Sequence, residues 1–322
     1  KGLSETDPQL LDAVRRSFPA WLLERWGSNF GKDSASSLAL ASISVPRPTL
    51  RVAVGEREQI HRELANEGIP TELGRYADSA LYVSSGNVLA SRPVSEGRAV
   101  IQDEASQLVA QLLSPRAGER VLDLCAAPGI KTSQLAAMLG AGSLVACDLS
   151  ARRLRTMTNL IGGKTPAEVR LFLLRLDAAN DLPFSGRFDR VLVDAPCSGT
   201  GTLARNPEIK WRLRENDLTR LAELQQKILR NALEVLAPGG RLVYATCSLE
   251  PEENEQVVER VIAGTQGFRL QAADELAPEF PHLSPLFDGH GYFRTRPDLH
   301  AMDGFFAAVI TRKPDSRAAL AA

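Results

Sequence analysis

The sequence predicts an α/β protein: a doubly wound, mainly parallel sheet preceded by a small α/β domain. Three observations carry that prediction. From Val121 onward, short apolar runs alternate with helix-length segments. The first of these runs, VLDLCAAPGIKT over Val121–Thr132, ends in a small-residue turn with Pro128 and Gly129. A parallel strand hands over in this way to a helix whose free N–H groups face a ligand. Before residue 110 the runs are shorter and follow a β-α-β-β order, which suits a separate small sheet. The expected division is therefore 1–110 for the small domain with its linking helix and 111–322 for the larger domain.

In chain order, Asp7–Trp26 places Leu10, Leu11, Val14, Phe18, Leu22 and Leu23 at helical spacing, broken by Pro19. Ser34–Ser44 is small and polar and reads as a connector. Pro46–Val54 reads as a strand, Arg57–Glu67 as a helix stopped by Gly68, and Ala80–Val83 and Asn87–Ala90 as short strands. Val100–Leu113 is an amphipathic helix that leads into the turn SPRAGE. Strands are then expected at Val121–Cys125, Ser143–Asp148, Val169–Leu174, Arg190–Asp194 and Arg241–Thr246. The helices between them reach Met138, start at Ala151, and span Leu218–Leu236 and Glu252–Ile262. Phe268–Gln271 and Phe305–Thr311 are late strands, and DSRAALAA is a frayed tail.

Composition removes several classes. With 322 residues, 44% of them hydrophobic and 24% charged, the chain can bury a substantial core. No apolar run is long enough to span a membrane. KGLSETDPQLL has no signal-peptide pattern, so a cytoplasmic protein is expected; the missing initial Met points to a fragment or a processed chain. A net charge of −1 gives no global argument for nucleic acid. Charge is locally uneven: Arg152, Arg153, Arg155, Lys164, Arg170 and Arg175 form one basic cluster, and Arg205, Lys210, Arg212 and Arg214 another. Solvated helical faces explain such clusters equally well. Cys125, Cys147, Cys197 and Cys247 are far apart with no CxxC pair, and the four histidines lack ligand spacing, so neither a metal site nor a disulfide framework is expected. Packing is the default role for each cysteine and a reactive thiol the sharper one. Oligomeric state is not legible.

The chemistry collects at strand ends, which in an open parallel sheet converge on one crevice. Cys125–Lys131 follow the first strand, Asp148 ends the second and Asp177 follows the third. Asp194, Pro196 and Cys197 follow the fourth, and Thr246 and Cys247 the fifth. Asp148 stands where a carboxylate meets ribose hydroxyls in nucleoside-binding folds, and a helix cap is its plain alternative. Asp177 is placed to reach an adenine amino group or to cap its own loop. The first loop is neither G-x-G-x-x-G nor a P-loop, which disfavours a pyrophosphate. An adenosine site without a phosphate cradle points to S-adenosylmethionine.

LDLCAAPGIKT, LVDAPCSGTG, NPEIKW and LVYATCSLEPEENE resemble the motifs of the Nop/Sun family of RNA cytosine-5 methyltransferases, near the bacterial Sun-type 16S ribosomal RNA enzymes. The likeness runs from about Phe18 to the end and takes in IQDEASQ and DGFFAAVI. It implies a Rossmann-like S-adenosylmethionine-dependent methyltransferase fold, with the small domain helping to hold RNA. Ribosomal RNA is favoured as the substrate and transfer RNA is the alternative. The implied cofactor contacts are Cys125, Ala126, Ala127, Pro128, Gly129, Ile130, Lys131, Asp148, Asp177 and Asp194. Ile130 departs from the family, which has Gly there, and nothing here matches the N-terminal helical RNA-binding domain of many bacterial members.

The chemistry asks for the same residue types. Carbon 5 of cytosine attacks a methyl sulfonium only after a thiolate has added to carbon 6. A proton donor near ring nitrogen 3, suited to Asp194, stabilises the developing charge. DNA cytosine-5 enzymes use the cysteine of a Pro-Cys pair, here Cys197. The Nop/Sun resemblance implies Cys247 instead, with Cys197 aiding product release. Lys131 has the cofactor carboxylate or the substrate within its reach. Lys210 and Arg205 are candidates for an RNA phosphate, Trp211 reads as packing, and Glu250–Glu255 reads as helix capping. Two other classes stay open at this stage: a nicotinamide-dependent oxidoreductase and a non-catalytic RNA-binding protein.

Overall fold

The computed structural model describes residues 14, 17–161 and 165–314 of the chain. A helical hairpin comes first, α1 (Ala20–Phe30) and α2 (Lys32–Ile43). A small sheet follows, formed by β1 (Thr49–Val52), β2 (Thr71–Leu73), β3 (Ala80–Val83) and β4 (Ala99–Ile101), antiparallel in the order β2-β3-β1-β4. Helix α3 (Arg57–Asn66) covers it with Ile60 and Leu64 against Leu50, Val52, Leu81 and Val83. A short α4 (Arg92–Ser95) precedes β4, and α5 (Glu104–Leu113) leads to the second sheet.

That sheet begins with β5 (Arg120–Leu124), α6 (Ile130–Leu139), β6 (Gly142–Asp148), α7 (Ala151–Ile161), β7 (Val169–Arg175) and β8 (Phe188–Asp194). It continues with α8 (Ile209–Arg212), α9 (Glu215–Glu234), β9 (Leu236–Thr246), α10 (Glu255–Ala263) and β10 (Phe268–Leu270). The chain closes through α11 (Ala273–Glu279), β11 (Phe293–Arg294), α12 (Pro297–His300) and β12 (Phe306–Arg312). Strand order is β10-β12-β9-β8-β5-β6-β7, with β11 beside β12. Strands β7, β6, β5, β8 and β9 are parallel, and β12 runs antiparallel to β9.

The central strands β5, β8 and β9 are buried on both faces over most of their length, which is why they read as unbroken apolar runs. The outer strand β7 exposes one face, with Phe172 and Leu174 open to solvent. Val121, Leu192 and Val243 point to a core shared with α5 and α6, whereas Leu122, Val193 and Tyr244 point to one shared with α9 and α10. β5 lies between β6 and β8, so the strand order reverses at its carboxyl end. A ligand crevice opens at such a switch point.

Three expectations for the small domain fail. Ser34–Ser44 is not a connector but most of α2: Ala35, Leu38, Ala39 and Ser42 form its buried stripe. Its serines are tied off, with the Ser42 hydroxyl donating 2.7 Å to the Leu38 carbonyl four residues back, so they do not compete with the helix. Asn87–Ala90 contains a 3-10 turn rather than a strand. The remaining strands are β2 and β4, and β4 takes the first residues of the expected helix Val100–Leu113, which starts only at Glu104, capped by Asp103. Most of the helix expected over Asp7–Phe18, Lys164 and the C-terminal tail lie outside the described residues.

Candidate active site

The turn after β5 owes its shape to two left-handed residues, Cys125 at φ 63° and Gly129 at φ 104°. A Cβ at Gly129 would lie 2.6 Å from Met157 Cγ, so glycine is required there twice over. Ile130 needs no such freedom, because it is the first residue of α6 and takes helical angles. The family's departure at this position is thereby accommodated.

Loop N–H groups are largely consumed within the protein. Ala126 donates to the Cys147 carbonyl at 2.8 Å, Ala127 to Asp148 Oδ2 at 3.2 Å and Gly129 to the Ala126 carbonyl at 2.9 Å. Asp148 is buried at the end of β6, also accepts from the Ser150 N–H at 2.8 Å, and faces a small cleft. Leu149, Leu176, Leu224 and Ile228 give that cleft apolar walls, while Asp148 and Asp177 line it with acceptors. Asp177 is exposed and accepts from its own loop, at 3.0 Å from the Ala179 N–H and 3.1 Å from Asn180 Nδ2.

Beneath the loop, Asp123 is 1% exposed; Thr132 Oγ1 donates to its Oδ2 at 2.6 Å, whereas Oδ1 has no partner. Burial raises its pKa to about 7. A buried acceptor without a donor calls for a polar or cationic group. Apolar walls, two acceptors and this orphaned oxygen fit an adenosyl group carrying an amino acid.

The reactive side of the crevice is built by β8 and β9. Asp194 is in register with Ala245, so the chain leaves both strands at one level and brings Cys197 and Cys247 together. Their sulfurs are 3.4 Å apart, and all four cysteines are free thiols. The hydrogen bond to Cys247, reinforced by burial, pushes the Cys197 pKa well above the ordinary thiol value. Cys197 thus keeps its proton, and either sulfur can donate to the other. Lys131, from the start of α6, places Nζ 2.8 Å from Asp194 Oδ2 and 4.9 Å from the centre of the Phe305 ring. Burial works against its charge, but Asp194 outweighs burial, with Cys247 also among the charges that raise its pKa. Burial pushes the Cys125 thiol up and the Cys147 thiol to about 12, which keeps both protonated.

Two buried carboxylates brace the cysteine loops. Glu253 Oε1 accepts from the Ser198 N–H at 2.8 Å and Gln225 Nε2 at 2.9 Å, and Oε2 accepts from both Ser198 Oγ and Ser248 Oγ. One side chain therefore clamps the residue after Cys197 to the residue after Cys247. Glu250 accepts from Trp26 Nε1 at 3.1 Å and from Arg25, so α1 braces the same turn, with Leu22 and Trp26 packed near Leu203 and Leu249. Gly201 closes the arrangement: its N–H donates 2.9 Å to the Cys247 carbonyl, and a Cβ there would fall 2.1 Å from the Gly304 carbonyl oxygen.

The description "16S rRNA methyltransferase RsmB/F" matches residues 110–311, and "Methyltr_RsmF/B-like, ferredoxin-like domain" matches residues 18–89. The chain belongs to the RsmB/F methyltransferase family. It is 32% identical over 310 residues to the probable ribosomal RNA small subunit methyltransferase B of Bacillus subtilis, covering 95% of this chain and 69% of that protein. It is 40% identical over 240 residues to ribosomal RNA small subunit methyltransferase B of Shewanella oneidensis, covering 73% and 53%. A methyltransferase homolog protein from Pyrococcus horikoshii superposes with a TM-score of 0.77 at 28% identity, covering 96% of this chain and all of that one (100%).

Seen as an RsmB/F-family chain, the sequence left several positions to be found. Glu250 and Glu253 are fully buried braces, not capping residues of α10. Asp123 stood in plain view inside an apolar strand, the one signal that marks a buried carboxylate. Lys210 is buried with Nζ 4.3 Å from the centre of the Phe18 ring, and Arg205 is held by Asp103 and Asp303, so both are engaged inside the protein. Trp211, expected to pack under its loop, is 60% exposed.

Proposed function

We propose that this chain transfers the methyl group of S-adenosylmethionine to carbon 5 of a cytosine in RNA, with small-subunit ribosomal RNA as the substrate. One observation carries the reading: two free thiols from neighbouring parallel strands lie 3.4 Å apart beside a Lys131–Asp194 pair. In this reading residues 1–110 form the RNA-holding domain, 111–322 the catalytic domain, and the protein works in the cytoplasm.

S-adenosylmethionine, when bound, supplies an electrophilic methyl group. Asp148 and Asp177 would hold its adenosyl part, Asp194 and the loop from Cys125 to Lys131 its remainder, with the orphaned Asp123 oxygen the acceptor available to an ammonium. The target cytosine enters unpaired, because its ring face is hidden in a stacked duplex. Cys247 adds its sulfur to carbon 6, and that bond makes carbon 5 nucleophilic. Lys131 and Asp194 supply the charge and the proton at the ring edge near nitrogen 3. Once Cys247 is bonded to carbon, Cys197 stands beside the adduct, its sulfur 3.4 Å from that of Cys247 in the free protein. Cys197, its own proton passed to solvent, then takes the carbon 5 proton as a thiolate while the carbon–sulfur bond breaks and Cys247 leaves as a thiolate.

Incubating small-subunit ribosomal RNA with the protein and labelled S-adenosylmethionine, then separating the nucleosides, tests this. Label in 5-methylcytidine is expected. Label only in another nucleoside, or none, contradicts the proposal.

A further inference from the structure

Arg51 differs from the other well-buried arginines. Arg25, Arg190, Arg205, Arg241 and Arg294 each meet a carboxylate. Arg51 meets none among the described residues. Its Nε donates to Gln102 Oε1 at 2.6 Å and its Nη2 to Ser133 Oγ at 2.7 Å, both neutral. Those acceptors are themselves fixed: Gln102 Nε2 donates to Gln134 Oε1 at 2.8 Å, and Ser133 Oγ to the Ile130 carbonyl at 2.8 Å. Asp103, the carboxylate next in sequence to Gln102, is taken by Arg205. Nη1 has no protein partner among the described residues and is not among the fully buried unpaired atoms, so it keeps some contact with solvent. Burial with no compensating anion lowers the Arg51 pKa to about 10.

A guanidinium held in a rigid fork, short of a counter-charge and open on one edge, matches an oxyanion. Its place decides which one. Arg51 lies on β1 of the small sheet and its Nη2 reaches Ser133 of α6, so it stands between the small sheet and the domain that carries the crevice. The Asp148–Asp177 cleft includes no residue of that sheet. We propose that Arg51, held open by Gln102 and Ser133, seats a phosphodiester of the RNA strand as it crosses from the small sheet into the crevice. The inference rests on RNA being the substrate. The contact fixes the position of the strand and reads no base.

The test is binding of a labelled single-stranded oligoribonucleotide to the whole protein across a salt series, for the wild type, Arg51→Gln and Arg51→Lys. Arg51→Gln keeps hydrogen-bonding capacity towards Gln102 and Ser133 but removes the charge. It is expected to weaken binding roughly tenfold at low salt and to flatten the slope of log K against log salt by about 0.7, whatever the base sequence. Arg51→Lys keeps the charge and so keeps most of the slope, which makes the comparison informative even if Arg51→Gln folds poorly. S-adenosylhomocysteine affinity should stay unchanged. An unchanged slope in Arg51→Gln overturns the proposal, as does a loss of S-adenosylhomocysteine binding with the RNA slope intact, which would assign the oxyanion to the cofactor. Wild-type protein that binds no RNA overturns both this inference and the RNA reading on which it rests.

Discussion

Replacing Asp123 with Asn should make the protein more stable and a poorer enzyme. The carboxylate is 1% exposed, one oxygen has no partner, and burial raises its pKa from the ordinary 3.8 to about 7. A folded-state pKa above the unfolded one means that the folded protein holds the proton more tightly. This group's contribution therefore falls as pH rises from about 4 to about 7 and is fully unfavourable above that. The interval corresponds to a penalty of roughly 4 kcal/mol at alkaline pH. Asn avoids the charge but places an amide N–H where the orphaned oxygen stood, at a cost of about 1–3 kcal/mol. The net is a gain of about 1–3 kcal/mol at high pH. Urea unfolding at about pH 5.5 and about pH 8.5 reads it, with the advantage of Asp123→Asn over wild type about 2 kcal/mol larger at the higher pH. Titration with S-adenosylhomocysteine should show weaker binding, because the acceptor for the ammonium is gone. A stability difference that does not change with pH, or cofactor affinity equal to wild type, would refute the reasoning.

Gly129→Ala forces a side chain into a φ of 104° and against Met157, so it should destabilise the protein by about 2–4 kcal/mol and weaken cofactor binding; thermal melting and calorimetry check both. Glu253→Gln keeps the clamp's size but removes its charge and one acceptor. It should lower methyl transfer at least tenfold while leaving S-adenosylhomocysteine affinity near wild type, since Glu253 touches only the cysteine loops and α9. Equal losses in turnover and cofactor affinity would show a general loss of folding instead.

The large sheet was legible because its buried strands are apolar and its helices long, and the register of strand ends brought Asp194, Cys197 and Cys247 together as their positions required. The small domain was less so. Its β2 and β4 have three residues each, too few for a period, and their pairing comes from tertiary neighbours. Helix α2 hid because one leucine, two alanines and one serine carry its buried stripe. At the site, motif residues were visible but their partners were not. Glu253 joins loops 50 positions apart through Ser198 and Ser248, a relation with no local signature. Lys210 turns inward and Trp211 outward, against expectation, because a four-residue helix fixes which side chain faces the core, and the Phe18 ring holds the lysine.

The most direct test of the two-thiol mechanism is adduct formation on small-subunit RNA transcribed with 5-fluorocytidine, whose carbon 5 cannot lose a proton. Wild-type protein and Cys197→Ala are expected to form a covalent protein–RNA band that survives denaturation, and Cys247→Ala none. With ordinary RNA only Cys197→Ala should accumulate the adduct. A band from Cys247→Ala together with none from Cys197→Ala would make Cys197 the nucleophile and contradict the account.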